Sequence, residues 1–206
     1  MHVSEELVDA ASARLRDGGV IAFPTETVYG LGVDARNPDA VERVYELKGR
    51  PPVKPLSVLV DGVEAARRLV TAWPAAAARL ADAFWPGPLT IVLPRVMEGP
   101  YCLPGVVVAG GDTVGLRCPD HALTLAILGR FGGPVAGPSA NRSGEAEPTT
   151  AGAVRTIFGD PQAVLVVDGG TCRVGRASTV IRVHADDTIE ILRDGAIPEA
   201  AVRGML

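Results

Sequence analysis

Lys48 and Lys54 are the only lysines among twenty basic side chains; the other eighteen are arginine. They flank Arg50 in the stretch Lys48, Gly49, Arg50, Pro51, Pro52, Val53, Lys54, Pro55. An ammonium is a compact, rotatable point charge and a guanidinium a rigid planar fork, so a site that follows a moving phosphate or a small anion can need the former. The stretch therefore reads as an anion site. A helix ending accounts equally well for Lys48, because a last-turn lysine favours the helix dipole, Gly49 can cap and Pro51 stops the helix. It does not account for Lys54, which lies beyond that stop, between prolines that stiffen the chain.

Other groups with chemical capacity gather where elements end. Thr25 and Thr27 follow an apolar run, Val20 to Phe23, in a stretch whose Gly30 and Gly32 permit unusual backbone angles. Arg117 closes the strand-like Thr113 to Arg117, and Arg193 follows Thr188 to Leu192. Gly137 to Gly144 is rich in small residues that admit a ligand to the backbone, with Ser139 and Asn141 as donors on one face of an extended segment. Each has a plain reading too: a threonine-rich turn, surface arginines, a polar loop. The chain has no G-x-x-x-x-G-K-[ST] loop, G-x-G-x-x-G fingerprint or G-x-S-x-G elbow. What remains is a distributed set of cations and hydroxyls, suited to a polyanion and a small zwitterion.

The elements that must hold these groups alternate. Val3, Leu7, Val8, Ala11 and Leu15 have helical spacing ahead of the Val20 strand. Asn37 and Pro38 open a helix whose apolar face is Val41, Val44, Tyr45 and Leu47, and which carries Lys48 to its end. A short strand Leu56 to Val60, helices Val63 to Val70 and Pro74 to Phe84, and a strand Leu89 to Leu93 follow. Residues 94–111 read as an irregular connection. After the Thr113 strand come a helix His121 to Arg130, a strand Pro134 to Ala136, a helix capped by Thr149 and running to Phe158, and a strand Ala163 to Val167. Strands Ser178 to Val183 and Thr188 to Leu192 adjoin before a short last helix. These strands among six or seven helices predict an α/β domain with a twisted, mixed sheet, antiparallel where the last two strands meet. The length predicts one domain, 1–206.

Hydrophobic residues at 47% allow a sizeable core, and aromatics at 4% make it aliphatic. A net charge of −4 without like-charge runs argues against nucleic-acid binding through bulk charge. Cys102, Cys118 and Cys172 form no C-x-x-C pair, and His2, His121 and His184 are isolated, so no metal site built from side chains is expected. The start lacks a signal-peptide pattern and no apolar run approaches about 18 residues, which predicts a soluble cytoplasmic protein without a membrane partner.

Nine stretches together resemble the YrdC-like threonylcarbamoyl-adenylate synthase family, in the family's order: Pro24 to Gly32, Lys48 to Pro51, Lys54 to Leu56, Trp85 to Thr90, Gly115 to Pro119, Gly137 to Gly144, Pro148 to Thr149, Asp168 to Gly170, and Ser178 to Val180. The resemblance covers nearly the whole chain. It implies condensation of L-threonine, bicarbonate and ATP, with Mg²⁺ carried by ATP, into threonylcarbamoyl-AMP and pyrophosphate. A downstream threonylcarbamoyl transferase then modifies tRNA. By matching motif positions, Thr27, Arg117, Gly137 and Ser178 would hold threonine. Arg50, Lys54, Thr113, Ser139, Glu147 and Arg193 would contact ATP. Lys48, Arg50, Ser139 and Asn141 belong to the catalytic elements.

The chain departs from the commoner pattern at Leu59, where many members carry a histidine near threonine, at Glu147, where a serine is frequent, and at Arg176 and Ala177 ahead of Ser178, where an acidic residue is common. Its length matches the family's short form, without the additional C-terminal domain. Two alternatives stand beside threonylcarbamoyl-AMP synthesis: a carbamoyl-adenylate-forming enzyme of the same fold, and a non-catalytic role on double-stranded RNA or ribosomes.

Overall fold

The computed structural model describes residues 3–51 and 53–206; His2 and the second proline of the Lys48 to Pro55 stretch lie outside them. Ser4 caps α1 (Glu5–Arg16), whose buried side is Val8, Ala11, Ser12 and Leu15. The chain then forms β1 (Val20–Phe23) and β2 (Gly30–Asp34) before α2 (Pro38–Lys48). In α2, Asn37 Oδ1 accepts the Ala40 amide at 3.2 Å, Pro38 occupies the first turn, and Gly49 closes the helix at φ 58°. Both ends follow the sequence reading.

Next come β3 (Ser57–Leu59), α3 (Val63–Arg67), α4 (Ala75–Phe84), β4 (Leu89–Pro94), β5 (Thr113–Arg117), α5 (Ala122–Phe131) and β6 (Val135–Ala136). They are followed by α6 (Ala151–Phe158), β7 (Val164–Val166), β8 (Thr179–Val183), β9 (Ile189–Arg193) and α7 (Glu199–Arg203). One sheet contains nine strands in the order β7-β1-β2-β6-β3-β5-β4-β8-β9. Only β1·β7, β3·β5 and β4·β8 are parallel; the other five pairings are antiparallel.

Three expectations need correction. The described residues hold nine strands, one more than the eight stretches read as strands, and antiparallel pairing extends well beyond β8·β9. The strand absent from the sequence reading is β2, because Gly30, Leu31 and Gly32 carry little strand propensity. Its glycines are required by packing: a Cβ on Gly32 would lie 2.5 Å from the Phe23 ring. The N-cap of α6 is Thr150, whose Oγ1 accepts the Ala153 amide at 3.2 Å, and not Thr149.

The two faces of the sheet are covered differently, and that difference makes the site. One face buries Val58, Val114, Leu116, Leu89, Ile91, Leu93, Ile181 and Val183 in an aliphatic core with α2 and α4. The other is covered at its β1 end by α1 and α5, which pack Val8, Leu15, Ile127 and Phe131 against Ile21, Phe23, Leu59 and Val135. Among the described residues no helical residue lines the cavity over β3, β5, β4, β8 and β9 on that second face. Among the described residues no helix is long and apolar enough to cross a membrane.

Candidate functional site

The open half of the sheet is the floor of a cavity of about 260 Å³. Alternation along each strand decides which residues form it. Ser57 and Leu59 come from β3, Thr113, Gly115 and Arg117 from β5, Thr90 and Val92 from β4, and Val180 and Arg182 from β8. Their neighbours in sequence point into the core. Thr27, Arg50, Gly137, Ser139, Glu147, Ser178 and Arg193 complete the wall among the residues expected from sequence.

Arg117 ends β5 with its side chain almost fully enclosed. Nη2 donates to Thr27 Oγ1 at 2.9 Å and lies 2.8 Å from Glu26 Oε1, and Nε donates to the Gly87 carbonyl at 3.2 Å. Thr27 is in turn fixed by Thr25, whose Oγ1 lies 2.7 Å from its own and donates to the Val28 carbonyl. The guanidinium is therefore held at the mouth of β5 by groups from two segments, Glu26–Thr27 and Gly87, with Nη1 left without an acceptor among the described residues. That geometry suits bidentate or single capture of a carboxylate.

On β4 and beyond it, Ser178 lies between Thr90 and Arg193. Its hydroxyl is 2.9 Å from Thr90 Oγ1, and Arg193 donates from Nη2 to its carbonyl at 2.8 Å and to its hydroxyl at 3.1 Å. Gly195 packs directly behind: a Cβ there would be 2.3 Å from the Ser178 carbonyl carbon and the Thr179 nitrogen. Gly195→Ala is expected to cost about 2–3 kcal/mol through overpacking and to weaken activity by displacing Ser178. Urea unfolding of the purified variant measures the first, and substrate KM the second.

Lys48 and Asn141 do not reach the cavity wall. Lys48 Nζ turns inward from the end of α2 and donates to the carbonyls of Ser139 (2.5 Å) and Asn141 (2.7 Å) and to Asn141 Oδ1 (3.2 Å). Asn141 Oδ1 also accepts from Ser139 Oγ at 2.6 Å, while its Nδ2 donates to the Glu145 carbonyl at 2.7 Å. The lysine thus ties down the backbone of the loop that presents Ser139. Burial first, then Arg50, pull its pKa down to about 8, and Glu147 acts against them. At neutral pH it remains an ammonium.

Arg50 donates from Nη2 to the Pro55 carbonyl at 3.1 Å and keeps a buried Nε without a partner. Lys54 is exposed and off the wall, and its carbonyl accepts from the Tyr45 hydroxyl at 2.9 Å. Pro55, next to it, does line the cavity. Leu59 lies beside Arg117 in the β3·β5 register and packs against Gly137, so it adds an apolar wall where a polar one was expected from the family pattern. The Asp168 to Gly170 turn acts at a distance from the floor. The Tyr29 hydroxyl donates to the Gly170 carbonyl at 2.8 Å, and burial pushes that phenol up to about 12, so it stays a donor.

Sequence reasoning missed Glu26, Thr90, Val92, Val180 and Arg182. The last four are legible as the alternate residues of strands whose other face is continuously aliphatic. Glu26 lies between two threonines just past the fully buried β1 and is itself buried, an unusual place for a carboxylate. Among the described residues no group of three or more His, Cys, Asp or Glu is placed to hold a metal ion.

The Sua5/YciO/YrdC family model, described as "Telomere recombination", matches residues 13–195. The chain is 41% identical over 206 residues to the threonylcarbamoyl-AMP synthase of Bacillus subtilis, covering all of this chain and 58% of that protein. It is 40% identical over 196 residues to that of Pyrococcus abyssi, covering 95% and 56%. The chain thus spans rather more than half the length of these relatives. A solved structure of P. abyssi Sua5 complexed with L-threonine superposes with a TM-score of 0.93 at 38% identity, over 100% of this chain and 59% of that one.

Proposed function

Because this chain belongs to the Sua5/YciO/YrdC family, we propose that it is an L-threonylcarbamoyladenylate synthase. It condenses L-threonine, bicarbonate and ATP to threonylcarbamoyl-AMP and pyrophosphate, and passes the intermediate to a threonylcarbamoyl transferase acting on tRNA. The observation that carries this reading is the fixed Arg117 guanidinium beside Thr27, at one side of a cavity that also holds Arg50, Arg182 and Arg193. A relative of 38% identity was solved complexed with L-threonine.

Arg117 takes the amino-acid carboxylate, with Thr27, Gly137 and Ser178 around the remainder. The neutral amine attacks bicarbonate, water leaves, and the carbamate oxygen attacks the α-phosphorus as pyrophosphate departs. Negative charge grows on the phosphates, where Arg50, Arg193 and Lys54 stabilise it, with Thr113 and Ser139 as hydrogen-bond partners. Catalysis comes from positioning and electrostatics, without a covalent enzyme intermediate.

Among the described residues Glu147 is the only carboxylate lining the cavity, which fits the way Mg²⁺ is bound through one or two carboxylates plus substrate phosphates. Glu147 would hold Mg²⁺ arriving with ATP, and the ion would neutralise phosphate charge.

The test is pyrophosphate release by the purified protein with Mg²⁺ and ATP, omitting threonine and bicarbonate in turn. Release that requires both supports the synthase. Release with carbamoyl phosphate in place of threonine and bicarbonate overturns it in favour of carbamoyl-adenylate formation, and silence in every mixture favours the RNA role. Lys54→Ala is expected to slow turnover at least about tenfold, the loss of one charge-assisted contact. Its exposed side chain makes stability nearly indifferent to the change, so an unaltered rate in the folded variant removes Lys54 from the phosphate site.

A further inference from the structure

Each ligand proposed for this cavity carries a carboxylate, a bicarbonate or phosphates, and every cation on the wall attracts all of them. Something must keep bicarbonate and phosphate away from the guanidinium that is to take the amino acid. The two sides of the cavity differ in the required sense. Arg117 and Arg193 occupy one cross-strand row, on β5 and β9 with β4 and β8 between them, so their backbones are about 14 Å apart at normal strand spacing, while the Arg193 guanidinium reaches back to Ser178. Away from Arg117, the three other guanidiniums on the wall (Arg50, Arg182, Arg193) are offset only by Glu147 and by Glu190, which lies 3.2 Å from Arg182. One positive charge is left in excess there.

On the Arg117 side the charge is cancelled from beneath. Glu26 is 2% exposed and Arg117 7%, and their charged atoms are 2.8 Å apart. Glu26 Oε2 is held by the Asp120 amide at 3.1 Å. Oε1 has no aligned hydrogen-bond donor, although Arg117 Nη2, which donates to Thr27, lies 2.8 Å from it. The Glu26 charge thus cancels that of Arg117 without spending the donor direction that a ligand would use.

We infer that Glu26 sets the amino-acid end of the cavity to zero net charge, so that it admits a zwitterion and turns away simple anions. This rests on the reading of Arg117 as the carboxylate site. A ligand with an ammonium beside its carboxylate meets both members of the buried pair favourably. A bare carboxylate, bicarbonate or phosphate meets Arg117 with Glu26 close behind it, and moves to the excess positive charge elsewhere on the wall. Glu26 acts through Arg117 and is a positioning and specificity residue, not a catalytic one.

The experiment is calorimetric binding of L-threonine and of 3-hydroxybutyrate, which is threonine without its amine, to wild type, Glu26→Gln and Glu26→Asp. Wild type is expected to prefer threonine by at least about a hundredfold, Glu26→Gln to lose about tenfold or more of that preference, and Glu26→Asp to retain it. In turnover, Glu26→Gln should raise the threonine KM more than it lowers kcat, and pyrophosphate should become a competitor of threonine. Equal wild-type binding of the two ligands, or an unchanged preference in folded Glu26→Gln, overturns the inference while leaving Arg117 as the carboxylate site. If wild type binds neither ligand, the reading of Arg117 fails and the inference with it. The wild-type comparison decides the matter even where Glu26→Gln does not fold.

Discussion

Arg117→Met is expected to lower threonine-dependent kcat/KM by about 10²- to 10³-fold, the effect of truncating one member of a buried, hydrogen-bonded charge pair with a ligand. It is also expected to destabilise the fold by about 3–5 kcal/mol, because Glu26 is left as a buried carboxylate without its cation. These two losses have different origins and can be separated. In Glu26→Gln/Arg117→Met the amide still accepts from Asp120 and needs no counter-charge, so most of the stability should return while activity does not. Urea unfolding and pyrophosphate release on the single and double variants provide both readings. Wild-type threonine dependence in Arg117→Met would remove the guanidinium from the amino-acid site. A double variant no more stable than the single one would mean that the pair's charge is not what holds this end of β5.

The chain signals some of this and conceals the rest for physical reasons. Asn37, Pro38 and Gly49 are local signals, and α2 begins and ends where they require. The strands β3, β4, β5 and β8 are legible as apolar runs, and their alternate residues, Ser57, Thr90, Gly115 and Val180, already contain the cavity floor. Which face would stay open is not local. It depends on α1 and α5 covering only the β1 half, a packing choice made across more than a hundred residues between Val8 and Ile127. β2 is concealed because its glycines, which look like turn residues, are demanded by the Phe23 ring. The pairing of Glu26 with Arg117 is concealed in the same way, since its members are ninety-one positions apart in sequence. Lys48 shows the opposite failure. Its type and position signal a cation aimed at a ligand, but its ammonium donates to the backbone of the Ser139 loop.

That indirect role gives Lys48 a pH signature unlike that of a phosphate-binding lysine. Its pKa is lowered from 10.5 to about 8, by burial first and Arg50 second, with Glu147 opposing. Below about pH 8 the ammonium has three N–H donors for its three acceptors, the Ser139 and Asn141 carbonyls and Asn141 Oδ1. Above it, the neutral amine has only two. The loop should loosen and turnover should fall as pH rises through about 8. Stability from this group moves the other way. Between about 8 and 10.5 the unfolded chain binds the proton more tightly than the folded one, so the contribution of Lys48 to folding becomes more favourable as pH rises across that window. A rate that falls while this contribution grows cannot be alkaline unfolding. The amine of threonine must itself lose a proton and pulls the rate upward, so the comparison that isolates Lys48 is with Lys48→Arg, which stays charged throughout. That variant should lack the alkaline fall, at a lower plateau set by the bulkier head group. Lys48→Met should lose about 10²-fold at every pH, as expected for a reacting group displaced by about 1 Å. If instead the alkaline limb persists in Lys48→Arg, the loop is not gated by this proton. If Lys48→Met is as active as wild type, the three contacts from α2 do not position Ser139.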